Sequence, residues 1–296
     1  MTTRRLFLQQ IPVVLALPSL VFARTTDTYS HGLLWQVRAG GAPVSHLFGT
    51  LHSGDARVLA QADRLRPALA GARIFMPELV TDADAVSAFM AASMSDTDNL
   101  PALVGQADWP LVAQQLAVHG VDERVAVRMR PWAALVTLLQ PVAPARTTLD
   151  ERLVGMARDL GKPVEPLEQV QEQIDAIATL PQATLIALLI DSARRHAAIQ
   201  DSTGAMTELW LAGDIGGLSR MNEALIAESP ALRAHAGRFT RAVLTRRNRR
   251  FVQRLQPQLQ RGGVVAAFGA SHLEGPGGVL SRLAARGMQV TAVAMG

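Results

Sequence analysis

Val264-Val265-Ala266-Ala267-Phe268-Gly269-Ala270-Ser271-His272-Leu273 decides how the chain is read. Its first five residues form an apolar run opened by two β-branched valines, the pattern of a strand buried on both faces, and Gly269 ends it. His272 therefore falls in a loop at the C-terminal end of that strand. Gly275, Gly277 and Gly278 then open an amphipathic helix in which Val279, Leu280, Leu283 and Ala284 keep the helical period, and Gly287 caps it. A second β-rich run, Met288 to Val293, follows. Strand, loop, helix and strand in this order predict part of an open α/β sheet, and such sheets gather their chemistry at the C-terminal strand edge.

About 220 residues earlier the same Gly-x-x-His occurs as Gly49-Thr50-Leu51-His52, after the strand Val44 to Phe48. The runs Leu33 to Arg38 and Pro43 to Phe48 flank Ala39-Gly40-Gly41-Ala42, a hairpin signal in which glycine supplies positive φ. Gly49 allows a tight exit that could aim His52 across the sheet edge. His46, on the strand itself, reads more simply as a half-buried strand residue. Beyond a helix from Ala56 to Ala70, the strand-like Arg73 to Glu78 ends in a carboxylate, which is costly to bury without a partner or an ion. Glu78 is thus a third candidate at the same edge, with a surface carboxylate just past a strand as the alternative.

The middle of the chain is helical in pattern, over Ala83 to Met94, Pro110 to His119 and Trp132 to Leu139, with Pro131 at a helix start. Trp109 and Trp132 suit a core, and His119 before Gly120 suits a helix C-terminus favoured by the macrodipole. Leu149 to Leu160 is an amphipathic helix closed by Gly161, and the short extended piece Lys162 to Leu167 delivers another strand-end acid, Glu168. Helices dominate from Val170 to Gln260, with breaks expected at Pro181, Gly204, Gly213-Asp214, Gly216-Gly217 and Pro230. Arginines spaced from Arg238 to Arg254 read as a solvated face beside Phe239, Val243, Phe251, Val252 and Leu255, with a polyanion groove as the weaker reading.

The N-terminus reads as an export signal. Thr3-Arg4-Arg5-Leu6-Phe7-Leu8 precedes the apolar Ile11 to Phe22, and Val21-Phe22-Ala23 is a small-x-Ala cleavage pattern. The apolar stretch is short for a span of ~20 residues and contains Pro12 and Pro18, so cleavage near Ala23 and a periplasmic or secreted protein are expected over a retained anchor. The paired arginines resemble a twin-arginine signal, which serves proteins exported folded. Residues 24–296 are then read as one domain, since nothing among them looks like a linker. The net charge is +4, of which the leader holds Arg4 and Arg5, so the pI near 10.7 reflects arginine in place of lysine and gives no nucleic-acid footprint. With no cysteine, any metal must be held by His, Asp or Glu.

Taken together, Gly49 to His52, Glu78, Pro131-Trp132, Leu149-Asp150 to Leu153, Gly161 to Val164 with Leu167-Glu168, Arg247-Asn248 and Gly269 to Gly278 resemble the TraB/GumN/Tiki family, in the family's order and over nearly all of the mature chain. Gln169 stands where many members carry Thr. The resemblance implies an α/β (α+β) fold, a central mixed β-sheet with a large helical portion, related to erythromycin esterases and ChaN-like proteins. It further implies a metal-dependent peptidase site with Mn, Co or Zn, in which His52 and His272 are ligands and Glu78 a ligand or the general base. Gly49, Gly269, Glu168, Arg247 and Asn248 take supporting places. Three functions follow as expectations. They are a metal-dependent hydrolase of a peptide or small carbonyl substrate, a metal-independent esterase with His52 or His272 as base, and a binding or regulatory protein without turnover, linked to polysaccharide or signalling. Haem capture is disfavoured by the lack of an obvious axial ligand, since the only tyrosine, Tyr29, lies beside the leader.

Overall fold

The apolar runs flanking Ala39 to Ala42 pair as a hairpin. Strands β1 (Leu34–Arg38) and β2 (Ser45–Thr50) lie antiparallel with Trp35 opposite Leu47, and Gly40 takes φ 57° in the turn. In the computed structural model, which describes residues 29–294 apart from 98, 143–144, 146 and 228–231, β3 (Ile74–Pro77) and β4 (Val264–Gly269) join β2 in parallel. The fifth strand, β5 (Gln289–Val293), pairs antiparallel with β1, and the sheet order is β3-β4-β2-β1-β5. Val264 to Phe268 are all buried between two parallel neighbours, as an uninterrupted apolar run requires. The mostly exposed residues of β5 suit a sheet edge. The leader, and the expected break at Pro230, lie outside the described residues.

The helices are α1 (Ala56–Leu59), α2 (Gln61–Gly71), α3 (Ala83–Ser93), α4 (Leu100–Val104), α5 (Trp109–Val118), α6 (Glu123–Ala126), α7 (Pro131–Leu138), α8 (Leu149–Asp159), α9 (Val170–Ala178), α10 (Gln182–Arg194), α11 (His196–Leu211), α12 (Ile215–Ala227), α13 (Arg233–Thr240), α14 (Arg247–Arg261) and α15 (Val279–Ala284). The fold is therefore mixed α/β with one five-stranded mixed sheet among the described residues. The single helix expected over Ala56 to Ala70 is split at Ala60, where Asp63 N–H bonds the Ala60 carbonyl in a tightened turn. Gly204 and the Gly216-Gly217 pair do not break helices but lie inside α11 and α12. Asp214 explains the second case, because its Oδ1 accepts from Gly217 N–H at 2.7 Å and starts α12 ahead of the pair.

Two apolar cores form. One surrounds the sheet, with Phe48, Phe75 and Phe268 fully buried, and the other fills the space among α3 to α7, α9, α10 and α13. A π-helical stretch, Arg241–Arg246, joins α13 to α14, and this continuous rod runs from one core to the other. Val243 and Leu244 belong to the helical core, whereas Phe251, Val252 and Leu255 belong to the sheet core. Arg247 lies on the seam between them.

Candidate functional site

The segment after Gly161 runs along the open edge of β3, bridging Val164 to Phe75, and continues until Glu168 N–H reaches the Glu78 carbonyl at 2.9 Å. This brings the two strand-end carboxylates together in the seam. Glu78, Glu168 and Arg247 are each at most 3% exposed. Arg247 spans them, with Nη2 donating to Glu78 Oε1 at 2.5 Å and Nε to Glu168 Oε2 at 2.7 Å. Glu168 Oε1 accepts from Arg250 at 2.9 Å, and Arg254 pairs with Glu172. The arginine face expected to be solvated is thus partly inward. Arginine spacing alone does not reveal this, since the acids it meets come from two distant segments.

Glu78 is held at both oxygens. Oε1 also accepts from Gln173 at 3.2 Å, and Oε2 from the Gly269 N–H at 2.9 Å. Burial opposes its ionisation, but Arg247 overcomes this and, with contributions from His272 and His52, holds the carboxyl well below the ordinary range. Burial pushes Glu168 up, even against Arg247.

The two histidines are pinned from behind. At the exit of β2, His52 Nδ1 lies 2.6 Å from Asp150 Oδ2, and Asp150 Oδ1 accepts from the Thr50 hydroxyl at 2.7 Å. Asp150 sits in the first turn of α8, whose N-terminus is fixed by a capping box between Thr148 and Glu151 and favours a carboxylate there. At the exit of β4, a single 3₁₀ turn, Ala270–His272, places His272 Nδ1 2.5 Å from Asn248 Oδ1, while Asn248 Nδ2 donates to the Gly277 carbonyl at 2.9 Å. Both acceptors are oxygens, so each Nδ1 carries the hydrogen. Each opposite nitrogen is sealed from solvent with no hydrogen-bond partner, and His52 Nε2 and His272 Nε2 are the two such side-chain atoms among the described residues.

Their charges differ. Burial disfavours a proton on His52, but Asp150 outweighs it and raises the imidazole to about 9. Burial and then Arg247 push His272 down to about 3. Glu78 acts on both rings, so the structure brings His52, His272, Glu78 and Arg247 into one electrostatic cluster. Among the described residues no group of three or more His, Cys, Asp or Glu side chains stands in a metal-holding arrangement. His46 is half-buried on β2, as its strand position suggests, and burial lowers its pKa.

Beside His52 a cleft of about 350 Å³ opens at the C-terminal ends of β2 and β4, lined by both Gly-x-x-His loops and closed by α11 and Leu218. Asp150, Thr50 and Gln173 belong to the cluster although sequence reasoning gave them no role. Only Asp150 left a signal, as the acid of Leu-Asp-x-x-Leu at a helix start. His119 corrects another expectation. It ends α5 but is buried, with Nε2 2.8 Å from His196 Nε2, and burial lowers it to about 4, so it is neutral rather than a cation on the macrodipole.

No curated protein matches the chain, and no solved structure does either, so the erythromycin-esterase and ChaN-like relation has no structure to rest on. The model of the TraB/PrgY/gumN family matches residues 33–292, which take in β1, the whole buried cluster and nearly all of β5, and the chain belongs to that family.

Proposed function

We propose that the protein is a hydrolase using a divalent cation held by His52 Nε2 and His272 Nε2. One observation carries this reading. Two buried imidazoles at one sheet edge are each pinned at Nδ1 and each leave Nε2 without a partner. An unsatisfied buried polar atom costs about 1–3 kcal/mol, and a cation held by both nitrogens, once His52 has released its Nε2 proton, would relieve two such costs together. The donor chemistry fits. A carboxylate or amide oxygen behind a ring fixes the tautomer and raises the basicity of the opposite nitrogen, and imidazole suits Mn, Co or Zn. When bound, such an ion supplies an activated water and a polarised carbonyl.

The chain's own groups do the rest. Asp150 and Asn248 keep the ring hydrogens on Nδ1, and His52 gives up its Nε2 proton on loading. Arg247 keeps Glu78 ionised, so its charge would compensate a cation held by the two rings. Because both Glu78 oxygens already accept hydrogen bonds, we assign it as counter-charge in preference to ligand or base. The cleft beside His52 would seat a peptide or small carbonyl substrate.

Elemental analysis and divalent-metal titration of wild type, His52→Ala and His272→Ala test the reading. About one ion in the wild type and none in either variant is expected, and equal, negligible binding in all three overturns it. His52 backed by Asp150 also favours a second reading, a metal-independent esterase with His52 as base on water, working through the fraction of His52 that has lost the proton it holds up to about 9. That enzyme would keep its activity under chelation and lose it in His52→Ala. The leader supports export as part of the same proposal. N-terminal sequencing of periplasmic protein should begin near Arg24, and an intact Met1 in a membrane fraction would defeat it.

A further inference from the structure

The cleft beside His52 carries more chemical information than its position. Leu51, Pro141, Ala145, Met206, Leu218 and Ala270 form its apolar wall. Of the ionisable residues that line it, Asp55 is neutralised by Arg57, which donates to its two carboxylate oxygens at 3.2 and 2.8 Å, and His52 is committed to Asp150. The polar rim is largely satisfied from within as well. Thr50 donates to Asp150, and Thr207 donates to the Thr203 carbonyl at 3.0 Å. Among the described lining residues a cation entering here would lose its water and find no free opposite charge, and an anion would find only the His52 imidazolium, already paired with Asp150, whereas an alkyl or aryl group would gain contact with the apolar wall. About 350 Å³ lies at the small end of ligand pockets and has room for one bulky side chain with its adjoining peptide unit.

We infer that this cleft is a specificity pocket for an uncharged, apolar residue of a peptide chain, seated beside His52. The inference rests on the hydrolase reading for the peptide as substrate, but the pocket's selectivity is independent of any metal. Part of the wall comes from elements outside the cluster, although Leu51 and Ala270 share the strand-end loops with the histidines. Met206 and Thr203 lie on α11 and Leu218 on α12, whereas the histidines sit on the two strand-end loops.

Equilibrium binding to the purified chain, by calorimetry with chelator present, tests it with three acetylated dipeptide amides, leucyl-leucine, lysyl-lysine and aspartyl-aspartate. The leucyl peptide is expected to bind at least about tenfold more tightly than either charged one. Met206→Ala should weaken the leucyl peptide by about tenfold or more. Because shortening Met206 could also loosen the surrounding core, Thr203→Glu provides a second arm. Thr203 is only half-buried, and a carboxylate there should weaken the leucyl peptide while making the lysyl peptide the preferred one. Equal binding of all three peptides, no binding of any, or an unchanged preference in Thr203→Glu overturns the inference. Leucyl selectivity in a protein that takes up no divalent ion on titration would sink the metal site and leave the pocket standing.

Discussion

Arg247 shares a buried seam with two carboxylates, and its guanidinium is the cation they have in common. Removing one partner of a buried ionic cluster exposes the remaining charges to a full desolvation penalty. Arg247→Met should therefore cost about 3–5 kcal/mol, read as a lower urea midpoint at unchanged slope. Arg247→Lys should recover only part of this, because a point charge cannot reach Glu78 and Glu168 in the forked geometry seen here. Identical midpoints for Met and Lys variants would show that charge geometry in the seam is irrelevant. Asp150 acts at the same scale by a different route. Asp150→Asn keeps an oxygen near His52 Nδ1 but removes the charge that lifts His52 to about 9. Metal affinity should fall about 10- to 100-fold while the circular-dichroism spectrum stays that of the wild type. Unchanged affinity would reduce Asp150 to a packing residue.

The two strand exits read as twins in the sequence, and as elements they are not. A Cβ on Gly49 would meet Leu273 Cδ1 at 2.6 Å and the Ala270 backbone at 3.0 Å, because the loop after β4 packs directly on the end of β2. On Gly269 the nearest atoms would be Glu78 Oε2 at 3.6 Å and His272 Cδ2 at 3.7 Å, ordinary contacts at a φ of −47°. Gly49→Ala should cost about 1–3 kcal/mol, and Gly269→Ala should be neutral or stabilising by about 0.4–1 kcal/mol. Denaturation midpoints check this, and similar losses in both variants would contradict it. The strands themselves were legible, since an apolar run ended by glycine carries its own signal, and Val264 to Phe268 is buried as that signal says. What separates Gly49 from Gly269 is the approach of another loop from far along the chain, which no local pattern encodes. Local spacing did not single out Arg247 for the same reason, and only the family resemblance marked it. Its neighbours Arg246 and Arg249 are exposed, and only the meeting of β3's end, the Glu168 segment and a helix that turns from π to α selects the inward one.

Across the whole molecule, pH couples to stability through a pair remote in sequence. His119 at the end of α5 and His196 at the start of α11 share a hydrogen bond in the interior, which requires one ring to donate and the other to accept, and burial depresses both. The folded protein thus keeps His119 neutral down to about 4, whereas the unfolded chain binds its proton near 6.5. Between these values the unfolded state carries more protons, so stability falls as pH falls through this window and is fully present above it. The loss attributable to His119 approaches about 3 kcal/mol at the lower end, from roughly 1.4 kcal/mol per pKa unit. Other groups titrate in the same range, so the informative quantity is the difference from His119→Gln, whose amide can bond His196 but takes no proton. Chemical denaturation of both proteins between pH 7 and 4.5 should show the wild type losing stability more steeply below about 6.5, by about 2 kcal/mol at pH 4.5. Parallel curves would mean that the imidazoles separate and take up protons without cost, and the contact between α5 and α11 would then not depend on this pair being neutral.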